Sequence, residues 1–176
     1  GWTGRLPDKR GAWNADAETP FEQAALLQQA ADQIGVQRPI VLGHSFGGIV
    51  AIAWGLSRVD DTAALVLVAA VAEPWPGALG PTYTIGGTAP GGALLAPLAT
   101  AFLPESYIEQ SIEGVFAPQA APEGYAKHLG VGLSLRRSSI RANSQQVNNL
   151  RPHVVEMQKS YGTLTMPIEL VHGTAD

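Results

Sequence analysis

No cysteine occurs among the 176 residues, which excludes a disulfide frame and a thiolate metal site, and leaves compartment and redox role unread. Charge is scarce as well: charged residues make up 15% of the chain, where about 25% is usual. Eleven basic residues stand against fifteen acidic ones for a net charge of -4. No stretch gathers Lys and Arg with aromatics, so nucleic acid is a poor fit as a partner. Long hydrophobic runs are also missing. The longest, Ala63 to Ala72, is about half the roughly twenty residues a bilayer span needs, and no basic start followed by an apolar stretch opens the chain. The sequence therefore reads as soluble, with the cytoplasm slightly favoured. Gly1-Trp2-Thr3-Gly4 reads as loop interior without an initiator Met, which leaves a signal or anchor upstream open.

What is present is an apolar content of 45%, enough for one domain with its own core. The 20 glycines and 13 prolines well exceed the usual share of about 12% and imply long turns. Thr19-Pro20-Phe21-Glu22 has the form of a capping box, with Thr19 as N-cap and Pro20 at the first helical position. A helix is expected to follow as far as Ile34, with Phe21, Ala24, Ala25, Leu27, Ala31 and Ile34 on its apolar face and Gly35 as its stop. Pro39-Ile40-Val41-Leu42 is apolar without alternation, which predicts a central parallel strand covered on both faces. A buried helix from Gly47 to about Ser57 and a second such strand at Ala64 to Val68 complete a βαβ unit. From Glu73 to Gly92 glycine and proline break every regular pattern. Short helical pieces follow at Leu94 to Leu103, Pro104 to Ile112, Pro122 to His128 and Ser139 to Ser160, and a strand returns only at Pro167 to Val171.

The motif that carries chemistry is Gly43-His44-Ser45-Phe46-Gly47, set between a predicted buried strand and a predicted helix. A Gly-x-Ser-x-Gly there forms a nucleophile elbow: a turn so tight that the serine backbone is strained, with small residues at Gly43 and Gly47 because neighbouring backbone would otherwise clash. The Ser45 hydroxyl then faces the carboxyl ends of the strands, where open α/β sheets bind ligands, and the Phe46 N–H can donate to a developing oxyanion. The competing reading is that Ser45 merely opens a helix, with the turn cradling a phosphate. That reading lacks both the Lys of a phosphate-binding loop and the spacing of a dinucleotide fingerprint. His44 is expected to point away from Ser45, leaving it beside the substrate at most. No His/Asp/Glu cluster has metal-ligand spacing, so neither metal nor cofactor is called for.

On Gly43 to Gly48, the strand before them and the terminal Pro167-Ile168-Glu169-Leu170-Val171-His172-Gly173-Thr174-Ala175-Asp176, the chain resembles the serine α/β-hydrolases of the esterase, lipase and non-haem haloperoxidase type. The resemblance implies an α/β-hydrolase fold, a mostly parallel sheet flanked by helices with a helical cap inserted between strands. It divides the chain into a partial core at 1–72 and 166–176 and a cap at 73–165. It also implies that Asp176 is the acid orienting the catalytic His, with Glu73, directly after the second strand, as the rival. Strands are missing at both ends relative to that fold, so the chain resembles the middle of a larger protein. The general-base His and the second oxyanion donor then lie outside it, and the isolated chain is expected to be nearly inactive. His172 matches a structural position of the family, and His128 and His153 are expected in solvated or capping roles within the insertion.

The implied activity is cleavage of small to medium hydrophobic esters through an acyl-enzyme on Ser45. Relatives of the same triad, C–C hydrolases, thioesterases and cofactor-free perhydrolases, and a non-catalytic receptor of the same fold remain open alternatives. An Asp at position 45 would have implied carboxylate attack on epoxides or haloalkanes. Trp75, Tyr83, Phe102, Tyr107, Phe116 and Leu94 to Leu98 are candidate lining for an apolar acyl or alcohol group, with Trp75 and Phe102 named for the substrate pocket.

Overall fold

The computed structural model describes residues 18–76, 110, 112–114, 116–125, 128 and 137–174. The chain divides into two compact units, one holding the described residues 18–76 and 149–174 and the other those from 110 to 148. In the first unit, helix α1 (Pro20–Gln33) is followed by strand β1 (Ile40–His44), helix α2 (Phe46–Ser57) and strand β2 (Ala64–Val68). After helix α3 (Arg137–Met157) and a 3-10 turn (Gln158–Thr163), strand β3 (Ile168–Val171) joins the sheet. The second unit contains an edge-to-face pair of Phe116 and Tyr125 rings, 4.7 Å apart at 82°, a geometry that aromatic quadrupoles favour.

α1 starts where the capping box places it. The Thr19 hydroxyl accepts the Glu22 N–H and the Glu22 carboxylate accepts the Thr19 N–H, which satisfies two otherwise orphaned donors. Its buried face differs from the expected one. Pro20, Gln23, Ala24 and Gln28 are buried, whereas Phe21 is exposed, Leu27 is 54% exposed and Ile34 79% exposed. The buried side carries polar bonds. The Gln23 amide donates to the Glu18 carbonyl, the Gln28 amide to the Trp54 carbonyl on α2, and Arg58 forms a two-pronged ion pair with Asp32 at 2.7 and 2.6 Å. The Gln28 and Arg58 bonds and the small Ala24 go with the face of α1 that meets α2. The Arg58 hydrogen bonds hold the Asp32 carboxyl below its usual range.

The sheet is parallel throughout, in the order β1-β2-β3. β2 is therefore the middle one of the three described strands, and β1, expected to be central and covered on both faces, pairs with β2 alone among the described residues. Val41 and Gly43 share a face with buried Leu65 and Leu67. The opposite face carries Ile40 and Leu42, 67% and 65% exposed. An unbroken apolar run signals two apolar faces, and among the described residues only one of them receives a cover. That cover is α2, buried continuously from Gly48 to Gly55, together with Leu150, Val154 and Met157 of α3. No described helix is long and apolar enough to cross a membrane.

Because Leu65 is fully buried in this core, Leu65→Ala is expected to lower unfolding free energy by about 2–5 kcal/mol. Leu27→Ala, on the exposed side of α1, should change it by under about 0.5 kcal/mol. Urea titration measures both, and a large loss at Leu27 would refute the observed rotation of α1.

Candidate active site

β1 ends at His44 and α2 begins at Phe46, leaving the single residue Ser45 to reverse the chain. It does so at φ 52° and ψ -122°, a conformation that costs a non-glycine residue about 1–3 kcal/mol and survives only when its surroundings over-determine it. Three hydrogen bonds do so. The Ser45 N–H donates to the Val68 carbonyl at 3.0 Å, and the Ser45 carbonyl accepts Gly48 N–H at 2.9 Å and Val71 N–H at 3.3 Å. Ser45 occupies the N-cap position, yet its side chain makes no capping bond and its backbone lies outside the extended region normal for a cap. A serine that only opened a helix would show the opposite on both counts. Its hydroxyl is left for other chemistry on a half-buried residue.

The flanking glycines behave unequally. A Cβ on Gly43 would collide with the Gly47 carbonyl oxygen and lie 2.6 Å from its carbon and 2.7 Å from Gly48 Cα. A Cβ on Gly48 would collide with the Ala70 side chain and come within 2.9 Å of Ala70 Cα. A Cβ on Gly47 would meet nothing within 4 Å among the described residues. The expectation that Gly43 and Gly47 are small to avoid backbone therefore holds for Gly43, while Gly48 takes the role assigned to Gly47. The cause is the direction of approach: the segment after β2 passes over the second glycine of α2.

Parallel pairing brings the three strand ends into line. His44 is in register with Val68, and Val68 with Val171, so Ser45, Ala69 and His172 leave the sheet at one edge. The ladder continues one step further, with Ala69 N–H donating to the Val171 carbonyl at 2.8 Å. Phe46 follows Ser45 as the first residue of α2, so its N–H is a first-turn amide that the helix itself leaves without a partner. An anion above Ser45 would meet that N–H and the positive end of α2.

Of the other candidates, Glu73 is exposed on the loop leaving β2 and Asp176 lies outside the described residues. His44 is exposed on the sheet face shared with Leu42. His128 and His172 are exposed and His153 is half-buried within α3. Trp75 is half-buried and packs against the core, Phe116 belongs to the second unit, and Phe102, Tyr83, Tyr107 and 94–98 lie outside the described residues.

Two residues near the site belong to no motif. The Tyr161 hydroxyl donates to the Ala72 carbonyl at 2.7 Å, and Arg151 Nε donates to the Trp75 carbonyl at 3.1 Å. Burial pushes the Tyr161 phenol above its ordinary value, and the negative charge of Glu73 adds to that shift. Sequence offered no signal for either bond, since each joins groups more than seventy residues apart.

The glycine geometry makes a paired prediction. Gly43→Ala must displace backbone and is expected to cost at least about 2 kcal/mol of stability, whereas Gly47→Ala should be neutral within about 0.5 kcal/mol. Equal effects in thermal unfolding would contradict the described turn.

Comparison with known proteins fits this geometry. An epoxide hydrolase, CorEH, superposes with a TM-score of 0.66 at 17% identity, over 89% of this chain and 58% of that one. A probable hydrolytic enzyme from Pseudomonas aeruginosa PAO1 superposes with a TM-score of 0.63 at 19% identity, over 93% and 51%. The N-acyl homoserine lactonase AidH gives 0.57 at 18% identity, over 89% and 52%. The chain thus spans little more than half the length of these structures, and at such identities they attest the shared fold. No curated protein sequence matches. A model of the family described as serine aminopeptidase, S33, matches residues 3–176, and the chain belongs to that family, within the α/β-hydrolase superfamily.

Proposed function

We propose that this chain carries the nucleophile of a serine hydrolase that cleaves carboxylic esters of hydrophobic acyl or alcohol groups. The observation that carries the reading is the strained Ser45 backbone, which leaves a hydroxyl that caps nothing at the carboxyl edge of a parallel sheet. A histidine base in the remainder of the protein takes the Ser45 Oγ proton as Oγ attacks the ester carbonyl carbon. The Phe46 N–H stabilises the resulting oxyanion. Collapse breaks the bond to the alcohol oxygen, which leaves with the proton from the base. Water, deprotonated by the same base, then releases the acid and restores Ser45. Asp176 orients the base, with Glu73 as the rival for that role. We assign residues 73–165 to the cap insertion that the resemblance implies, and Trp75, Phe102 and His44 to substrate binding. Ser at position 45 disfavours the carboxylate attack that opens epoxides, although an epoxide hydrolase shares the fold.

The full-length protein tests this. A fluorophosphonate is expected to label Ser45, and Ser45→Ala should lower kcat on p-nitrophenyl esters by at least about a thousandfold. Absence of both labelling and turnover would favour a receptor of the same fold, and turnover confined to thioesters or C–C substrates would reassign the substrate class. For the acid, Asp176→Asn should cost at least about a thousandfold, against a few-fold for Glu73→Gln. The reverse order would move the role to Glu73.

A further inference from the structure

The turn at Ser45 is held partly by a segment that itself needs holding. After β2 the chain enters Ala69 with φ 43°, lays Ala70 over Gly48 and delivers the Val71 N–H to the Ser45 carbonyl. The next carbonyl, that of Ala72, receives the Tyr161 hydroxyl at 2.7 Å. Val71, Ala72 and Tyr161 all pack against the hydrophobic core. The segment is therefore clasped between the elbow on one side and the 3-10 turn on the other, and Glu73 emerges from it immediately beyond the clasp.

We propose that Tyr161 is a positioning residue for the Ser45 nucleophile, acting through its hydrogen bond to the Ala72 carbonyl. The inference rests on Ser45 being the nucleophile. Without the phenol donor, Ala72 keeps its packing against the core but loses its directional tether, and the Val71 to Ser45 bond, already long at 3.3 Å, is the first to loosen. One of the three bonds that over-determine the strained Ser45 backbone then weakens, and the hydroxyl samples orientations away from the attack geometry. Arg151, bonded to the Trp75 carbonyl three residues on, steadies the far end of the segment and does not replace Tyr161. Substrate affinity is not the quantity affected, because the Tyr161 hydroxyl bonds to backbone.

The test compares full-length wild type with Tyr161→Phe, which keeps the ring and removes the donor. Thr163→Val, which removes a hydroxyl bond internal to the same turn, to the Ser160 carbonyl, is the control. Fluorophosphonate labelling of wild-type Ser45 first establishes the underlying reading; if wild type is not labelled and turns over no ester, that reading fails, and the inference with it. Given labelling, Tyr161→Phe is expected to lower the labelling rate and kcat about tenfold, with KM within about twofold, since small misplacements of reacting groups act on the chemical step. Amide exchange at Val71 should rise about tenfold while Ile49 in α2 is unchanged. Replacing Tyr161 with 4-aminophenylalanine, which retains a donor at the ring tip, should restore most of the labelling rate. Labelling within twofold of wild type in Tyr161→Phe would overturn the proposal, as would failure of that variant to fold or an equal loss in Thr163→Val, either of which would make the turn a general stabiliser.

Discussion

The architecture depends on how little space separates β1 from α2. A parallel strand hands over to a helix across one residue, and this is possible only because Gly43 and Gly48 carry no side chain where backbone passes. The cost is a serine in a conformation that L-residues avoid. The return is that α2 lies directly on the sheet, buried over most of its length, and that a hydroxyl is presented beside the positive end of a helix. The same close approach admits the segment after β2, which contributes one of the bonds holding the turn. Packing, strain and chemistry at this point are one arrangement.

Parallel pairing carries that arrangement across the sheet. With β1, β2 and β3 in register at their carboxyl ends, the loops after all three strands leave the sheet at one edge. This explains how structures below 20% identical share the fold with TM-scores of 0.57–0.66. What must be kept is a backbone path, and a backbone path constrains few side chains apart from the small ones at its crowded points. Pocket-lining residues are free to diverge, which is why a hydrolase fold alone leaves the substrate to be determined by experiment.

Legibility in the sequence followed the range of the interaction concerned. The start of α1 could be read because its capping box is closed by residues three positions apart, and the turn because Gly43 and Ser45 act on immediate neighbours. The buried face of α1 could not. Hydrophobicity pointed to Phe21, Leu27 and Ile34, whereas the side that meets α2 carries Gln28 bonded to the Trp54 carbonyl and Asp32 paired with Arg58, polar bonds across 26 positions that periodicity does not register. The distinction between Gly47 and Gly48 escaped for a similar reason, since it depends on where Ala70 arrives from β2. Tyr161 and Arg151 left no trace at all: each acts on a backbone carbonyl, and carbonyls have no residue type to recognise.

Local order along the chain, then, determined the strands at 40–44, 64–68 and 168–171, the helix between the first two and the special turn at Ser45, because those features arise from steric and hydrogen-bonding preferences within a few residues. Tertiary structure alone decided which side of α1 faces inward, which glycine is crowded and which distant donor secures the segment beside Ser45. Those outcomes depend on the packing of elements whose separation in sequence far exceeds the reach of any local preference, so they exist only once the chain has closed on itself.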